Sequence, residues 1–189
     1  MLENTTGGAT GLEGAWRQAF SWDKYAESEI LEHPELWSGV YRTSKIPEWA
    51  TQRIAATGRD WNLIVLSEDW CGDASNTVPI IARLTEASAH LRLGILKRDE
   101  HLDLMDRYLT KGSRSIPIVI VLDDWFQPVT HWGPRPAELQ ELVLSQKRAG
   151  VRSSDEIYKD ARRWYARDRG ETTLDELISA IESAARSES

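Results

Sequence analysis

The chain is poor in sulfur, because its 189 residues contain one cysteine, Cys71, and two methionines. A single cysteine excludes a disulfide within the chain, which needs two thiols. Cys71 is therefore either an inert, buried small side chain or a reactive thiol. One unpaired cysteine also agrees with a reducing compartment.

Long apolar runs and an excess of basic residues are also lacking. No run of about 18 apolar residues is present to span a bilayer, and residues 1–20 show neither the basic start nor the apolar stretch of a secretory signal. The net charge of −7 argues against non-specific binding to nucleic acid, which depends on cationic contacts with phosphates. We therefore expect a cytoplasmic protein with no membrane or nucleic-acid partner.

The single cysteine lies at a predicted junction between a strand and a helix. Residues 61–66 form a short apolar, β-branched run that predicts a buried strand, and residues 75–89 have the apolar spacing of a helix. Cys71 would lie at the helix N-terminus, where free N–H groups and the helix dipole lower thiol pKa values. This position favours a reactive thiol.

Two further motifs accompany this junction. Pro79 falls inside the predicted helix, where proline produces a kink. Ile116-Pro117 precedes a second apolar run at 118–122, and we expect a cis bond there with the proline ring against Cys71.

These residues, in this order, resemble the active site of the thioredoxin superfamily over residues 59–145. The chain is similar to a bacterial thioredoxin-like group with Trp-Cys-Gly-Asp-Ala, Arg-Ser-Ile-Pro and Trp-Gly-Pro-Arg-Pro motifs, here residues 70–74, 114–117 and 132–136. The resemblance implies an α/β fold, a three-layer α/β/α sandwich around a central mixed sheet. It implies a catalytic role for Cys71, and a substrate-binding role for five neighbours: Trp70, Gly72, Asp73, Ile116 and Pro117.

The chain departs from the superfamily pattern at positions that take part in thiol–disulfide chemistry. Ala74 stands where the resemblance places a second, resolving cysteine, and Val65 stands where it places a buried proton-transferring aspartate. Dithiol turnover within one chain is therefore excluded. Asp73, with Glu68 and Asp69, puts carboxylates near Cys71 that oppose the effect of the helix terminus, so the sign of the thiol's pKa shift stays open.

The rest of the chain predicts helical additions to a single globular domain. We expect a helical extension over 1–58 that begins with a mobile tail at 1–14, a thioredoxin-like core over 59–149, and a helical extension over 150–189. Predicted helices and strands occupy these ranges: helices 22–31, 47–56, 75–89, 101–111, 136–149, 155–167 and 174–185, and strands 61–66, 91–96, 117–122 and 127–132. Thr173 and Glu176 have the spacing of a capping box.

Other candidate sites are weaker. The four histidines have no metal-ligand spacing with Cys71, so we expect no metal and no cofactor. Arg162, Arg163, Arg167 and Arg169 alternate with acidic residues, which indicates a mixed surface face. Arg135 is a further, weaker candidate, for a substrate anchor.

Two classes of function remain. In the first, Cys71 forms mixed disulfides with a protein disulfide or a low-molecular-weight thiol, and an external thiol resolves them. In the second, the groove beside Cys71 and Pro117 binds a protein partner without turnover. A slow or buried thiol would favour the second class.

Overall fold

The computed structural model describes residues 11–187. A four-stranded mixed sheet in the order β2-β1-β3-β4 forms its centre. β1 is parallel to β2 and antiparallel to β3, and β4 is antiparallel to β3. The strands are β1 (Trp61–Ser67), β2 (Leu91–Lys97), β3 (Ile118–Leu122) and β4 (Pro128–Trp132).

Helices precede, connect and follow these strands. Every residue of β1 and β3 is buried, so both faces of the central strands are covered, as the predicted three-layer α/β fold requires. The helices in the described range are α1 (Glu13–Gln18), α2 (Trp22–Ser28), α3 (Pro34–Thr43), α4 (Glu48–Ala56), α5 (Gly72–Ala87), α6 (Leu102–Met105), α7 (Ala137–Ala149), α8 (Ser154–Asp168) and α9 (Glu171–Ser187).

Both extensions contribute to the core around the sheet. Trp37 and Ile54 from the N-terminal side belong to the same buried cluster as Ile178 from α9. Arg53 on α4 also forms ion pairs with Asp175 and Glu182 of α9, at 2.5 and 2.8 Å. These contacts join the two extensions to each other as well as to the sheet.

A smaller apolar cluster lies between α7 and α8. Its buried members are Leu139, Val143, Ile157, Ala161 and Tyr165. This cluster fixes α8 beside α7, and the adjoining side of α8, which shares Ala161 and Tyr165 with the cluster, faces the site described below.

The predicted helix over 101–111 is wrong in length. A 3-10 turn spans Arg98–Glu100, and α6 covers only Leu102–Met105. Beyond α6, reciprocal backbone bonds join Thr110 and Ser113, and Lys111 and Gly112 have positive φ angles of 50° and 79°. The α-helical bonding stops before this turn, because the N–H groups of Arg107 and Tyr108 bond to carbonyls three residues back. The left-handed residues then prevent a right-handed helix from resuming.

Three further boundaries differ from the sequence prediction. Pro47 is the N-cap of α4 rather than its first residue. Thr173 lies inside α9, and the capping box is formed instead by Ser153 and Glu156 at the start of α8. The predicted tail over 1–14 is wrong at its end, because buried Leu12 donates its N–H to the Phe126 carbonyl at 2.8 Å; residues 1–10 lie outside the described range.

Candidate functional site

Cys71 occupies the turn between β1 and α5. Its N–H bonds to the Glu68 carbonyl at 3.2 Å, and its carbonyl accepts from Ser75 N–H at 3.0 Å, the first backbone bond of α5. Cys71 is thus the N-cap of a 16-residue helix, as the strand-to-helix pattern predicts. The side chain is 8% exposed.

The thiol is held between the helix start and the Ile116 carbonyl. Its Sγ donates to the Ile116 oxygen at 3.4 Å. The backbone N–H groups of Ala74 and Asp73, at the start of α5, lower the pKa of the thiol, although the side chain forms no capping hydrogen bond with them. The sulfur therefore has an acceptor for its proton and two donors that would stabilise a thiolate.

Burial, followed by the Asp73 carboxylate, raises the pKa of Cys71 to about 11. The N–H groups of Ala74 and Asp73 and the charge of Arg135 lower the pKa but do not cancel the rise. The net shift of the Cys71 pKa, whose sign the sequence left open, is therefore upward, because the helix terminus has the smaller effect. The thiol form predominates at neutral pH.

Asp73 is itself paired. Its carboxylate binds the Arg135 guanidinium through Oδ2 and accepts a hydrogen bond from the Tyr165 hydroxyl through Oδ1 at 2.9 Å. Arg135 also donates to Gln140 Oε1 at 3.2 Å, while its buried Nε has no partner in the described structure. Burial, together with the Asp73 carboxylate, raises the pKa of Tyr165, so this residue stays a neutral donor.

The other two acidic neighbours of Cys71 bind backbone groups. Glu68 accepts from the Asp99 N–H at 2.8 Å, and burial raises its pKa. Asp69 accepts from two successive N–H groups, those of Leu31 and Glu32, both at 2.9 Å. These carboxylates hold neighbouring segments against the site, whereas Asp73 is the carboxylate that acts on the thiol.

Two proline loops meet beside the sulfur. The Ile116-Pro117 and Gly133-Pro134 peptide bonds are both cis. Gly133 has φ of 126°, and a Cβ added there would lie 2.2 Å from the Pro117 carbonyl oxygen. The loop after β4 thus packs directly on the loop before β3, and the second loop delivers Arg135 to Asp73.

An open groove of about 650 Å³ contains the sulfur. It brings together the predicted residues Trp70, Cys71, Gly72, Asp73 and Ile116. Pro117 is buried beneath them and does not line the groove. Trp70 is 51% exposed, and the Arg98 guanidinium lies 5.1 Å from its ring centroid.

Sequence reasoning missed the wall that α8 contributes. Tyr158, Lys159, Arg162 and Tyr165 line the groove from this helix. Tyr158, Arg162 and Tyr165 follow one another at spacings of three to four residues, which places them on one helical face. Arg162 is exposed, in agreement with the predicted mixed surface face, and it also lines the groove.

Within the described range, His, Cys, Asp and Glu side chains form no group of three or more that could hold a metal ion. No helix between residues 11 and 187 has the length and apolar character needed to cross a bilayer.

The mixed sheet, the helix-capping cysteine and the adjacent Ile-Pro loop define a thioredoxin-like protein. A family model described as Thioredoxin matches residues 19–180, and the chain belongs to this thioredoxin family.

Solved structures agree in fold. A Pseudomonas aeruginosa protein of unknown function, PA1234, has a TM-score of 0.72 at 17% identity, and the match covers 93% of this chain and 99% of that one. An HIV epitope scaffold has a TM-score of 0.71 at 15% identity, covering 92% of this chain and 99% of the scaffold. No curated protein matched the chain.

Proposed function

We propose that the protein is a monothiol thiol–disulfide exchange protein in which Cys71 forms a mixed disulfide with a bound partner. The supporting observation is the position of the sulfur. Cys71 lines the groove at the start of α5, its Sγ donates to the Ile116 carbonyl, and the N–H groups of Ala74 and Asp73 lower its pKa. Those N–H groups would stabilise the thiolate as it forms.

The exchange needs no second cysteine. The Cys71 thiolate attacks one sulfur of a disulfide, forms a new S–S bond and releases the other sulfur as a thiolate, which takes up a proton. An external thiolate then attacks the mixed disulfide, restoring Cys71 and leaving with the substrate sulfur. In the cytoplasm, where we place the protein, low-molecular-weight thiols would supply this second step.

The raised pKa of Cys71 makes this exchange slow at neutral pH when no disulfide is bound in the groove. With a pKa of about 11, on the order of one molecule in ten thousand carries the thiolate at pH 7. Binding in the groove would offset part of this deficit by holding the disulfide against the sulfur.

A second candidate is a thioredoxin-fold binding module without turnover. The observation that favours it is the same buried, protonated thiol, since a sulfur bonded to the Ile116 carbonyl serves packing as well as chemistry. This candidate uses the groove and needs no reaction at Cys71.

Mixed-disulfide formation between pH 7 and 11 separates the two candidates. The folded protein is mixed with 2-hydroxyethyl disulfide, and the adduct is followed by mass spectrometry, with Cys71→Ser as the blank. We expect an adduct whose rate rises about tenfold per pH unit up to about pH 11. A folded protein that forms no adduct at any pH, while the urea-unfolded chain does, would support the binding module instead.

A further inference from the structure

The charge of the groove is opposite to that of the whole chain. The protein carries a net charge of −7, yet the groove contains twice as many lysines and arginines as aspartates. Its cations are Arg98, Arg114, Arg135, Lys147, Lys159 and Arg162, and its aspartates are Asp69, Asp73 and Asp155. A concave wall with an excess of one charge attracts ligands of the opposite charge.

Half of these cations already have carboxylate partners. Arg135 pairs with Asp73, Arg114 holds Asp106 through two bonds of 2.6 and 2.8 Å, and Arg98 pairs with Asp99. Because these three arginines are already paired, they stabilise the groove rather than provide charges for binding a ligand.

The other three cations stand on the wall made by α7 and α8. Lys147 lies over the Tyr158 ring at 5.7 Å, and Lys159 and Arg162 are exposed. In the described structure none of the three is in ion-pair contact with a carboxylate, although Asp155 lies one turn before Lys159. These lysine and arginine side chains can therefore donate charge-assisted hydrogen bonds to an anionic ligand in the groove.

The size of the groove limits the ligand. A volume of about 650 Å³ falls in the range of sites for small molecules. Exposed Trp70 adds an apolar surface beside the sulfur. A compact ligand could contact Trp70 and Cys71 with one part and the α8 cations with another.

We propose that this groove selects an acidic low-molecular-weight disulfide, a molecule with at least two carboxylates close to its sulfur. Lys147, Lys159 and Arg162 bind the carboxylates and thereby present the disulfide to Cys71. The disulfide step rests on the proposed function, in which one half of the ligand stays on Cys71 and the other leaves as a thiolate that is then protonated. Recognition of the carboxylates does not depend on that step.

The first experiment measures recognition without thiol chemistry. S-methylglutathione, which has two carboxylates and a blocked sulfur, is titrated calorimetrically into the Cys71→Ser protein. Adding Lys159→Glu and Arg162→Glu should weaken binding about tenfold, because two of the three charges that bind the carboxylates are reversed. The matched control adds Lys24→Glu and Lys45→Glu, exposed residues outside the groove, and should bind as before.

The second experiment measures selection during exchange. Natural protein reacts with oxidised glutathione, neutral 2-hydroxyethyl disulfide and cationic cystamine, and each rate is divided by that of the same disulfide with the unfolded chain. We expect the normalised rate to be at least about tenfold higher for oxidised glutathione than for cystamine, and the difference to shrink at high salt.

The outcomes separate the two proposals. If no disulfide reacts but S-methylglutathione binds in a Lys159- and Arg162-dependent way, the exchange function fails and the charge selection stands. If all three disulfides react at equal normalised rates and the charge reversals do not change S-methylglutathione binding, the selection is wrong and the exchange function stands. Binding of an acidic hexapeptide without binding of S-methylglutathione would also overturn the assignment to a small molecule.

Discussion

At the scale of the residue, opposing influences act on the Cys71 sulfur. The N–H groups at the helix start favour the thiolate, while burial and the Asp73 carboxylate favour the neutral thiol, and the pKa of about 11 shows that burial and Asp73 prevail. Asp73 is held in place by Arg135 and Tyr165. The thiol's acidity is thus set by residues far apart in the sequence as well as by its own helix.

Replacing Asp73 should make the thiol more acidic. Asp73→Asn removes the negative charge and leaves the Arg135 cation nearby, so we expect the pKa of Cys71 to fall from about 11 by about one unit or more. The pH dependence of alkylation by iodoacetamide measures it. Asp155→Asn, in the same groove, is the matched control and should change the pKa little; an unchanged pKa in Asp73→Asn would contradict the assigned cause.

A cysteine at position 74 should complete a dithiol site. Ala74 lies three residues after Cys71 and is fully buried, so Ala74→Cys should place its sulfur on the same face and form an internal disulfide under mild oxidation. Thiol titration with peptide mass mapping detects the bond. Asn76→Cys, five residues from Cys71, is the control and should keep two free thiols. Two free thiols in Ala74→Cys would show that the sulfurs do not meet.

At the scale of the element, hydrophobic pattern predicted the four strands and most of the long helices within a few residues, but it missed α1 and the ten-residue α3. Apolar, β-branched runs specify buried strands such as Ile118–Leu122 directly. The helix prediction fails after residue 105 because the chain forms turns there, first through Arg107 and Tyr108 and then from Thr110 to Ser113, and apolar spacing does not reveal turns. Capping was misassigned to Thr173 because several segments carry the same short motif and tertiary packing sets where α9 begins.

Gly133 joins two of these elements and should not tolerate a side chain. An alanine Cβ would overlap the Pro117 carbonyl, and the φ of 126° is strained for any L-residue. We expect Gly133→Ala to lower the free energy of unfolding by several kcal/mol, on the order of 3 or more. Urea denaturation measures this loss.

The control for Gly133 is Gly112. It also has positive φ, but nothing lies within 4 Å of its added Cβ. Gly112→Ala should cost only the backbone strain, roughly 1–2 kcal/mol. Equal losses in the two variants would show that contact between the proline loops does not limit stability.

At the scale of the whole molecule, the site draws on distant parts of the chain. Trp70, Gly72, Asp73 and Ile116 could be placed beside Cys71 because their motifs are local and resemble a known family. Tyr165 could not, because it is 92 residues from Asp73 and periodicity shows only that α8 has an apolar side, not which element that side meets. The position of α8 depends on its packing against α7.

Alkaline pH should destabilise the folded protein through Cys71. The thiol's pKa is 9.0 when unperturbed and about 11 when folded, so above pH 9 the unfolded chain releases a proton that the folded protein keeps, and unfolding becomes more favourable. The stabilisation by the neutral thiol is complete below pH 9 and lost by about pH 11, and amounts to about 3 kcal/mol at most. Burial also raises the pKa of Tyr25 and of Tyr165, which adds to the loss above pH 10.

Urea denaturation from pH 7 to 10 should show a falling free energy of unfolding for the natural protein and a flatter curve for Cys71→Ser between pH 9 and 10. Tyr158→Phe, at an exposed tyrosine, should follow the natural curve; parallel curves for the natural protein and Cys71→Ser would mean that the folded thiol titrates like a free one.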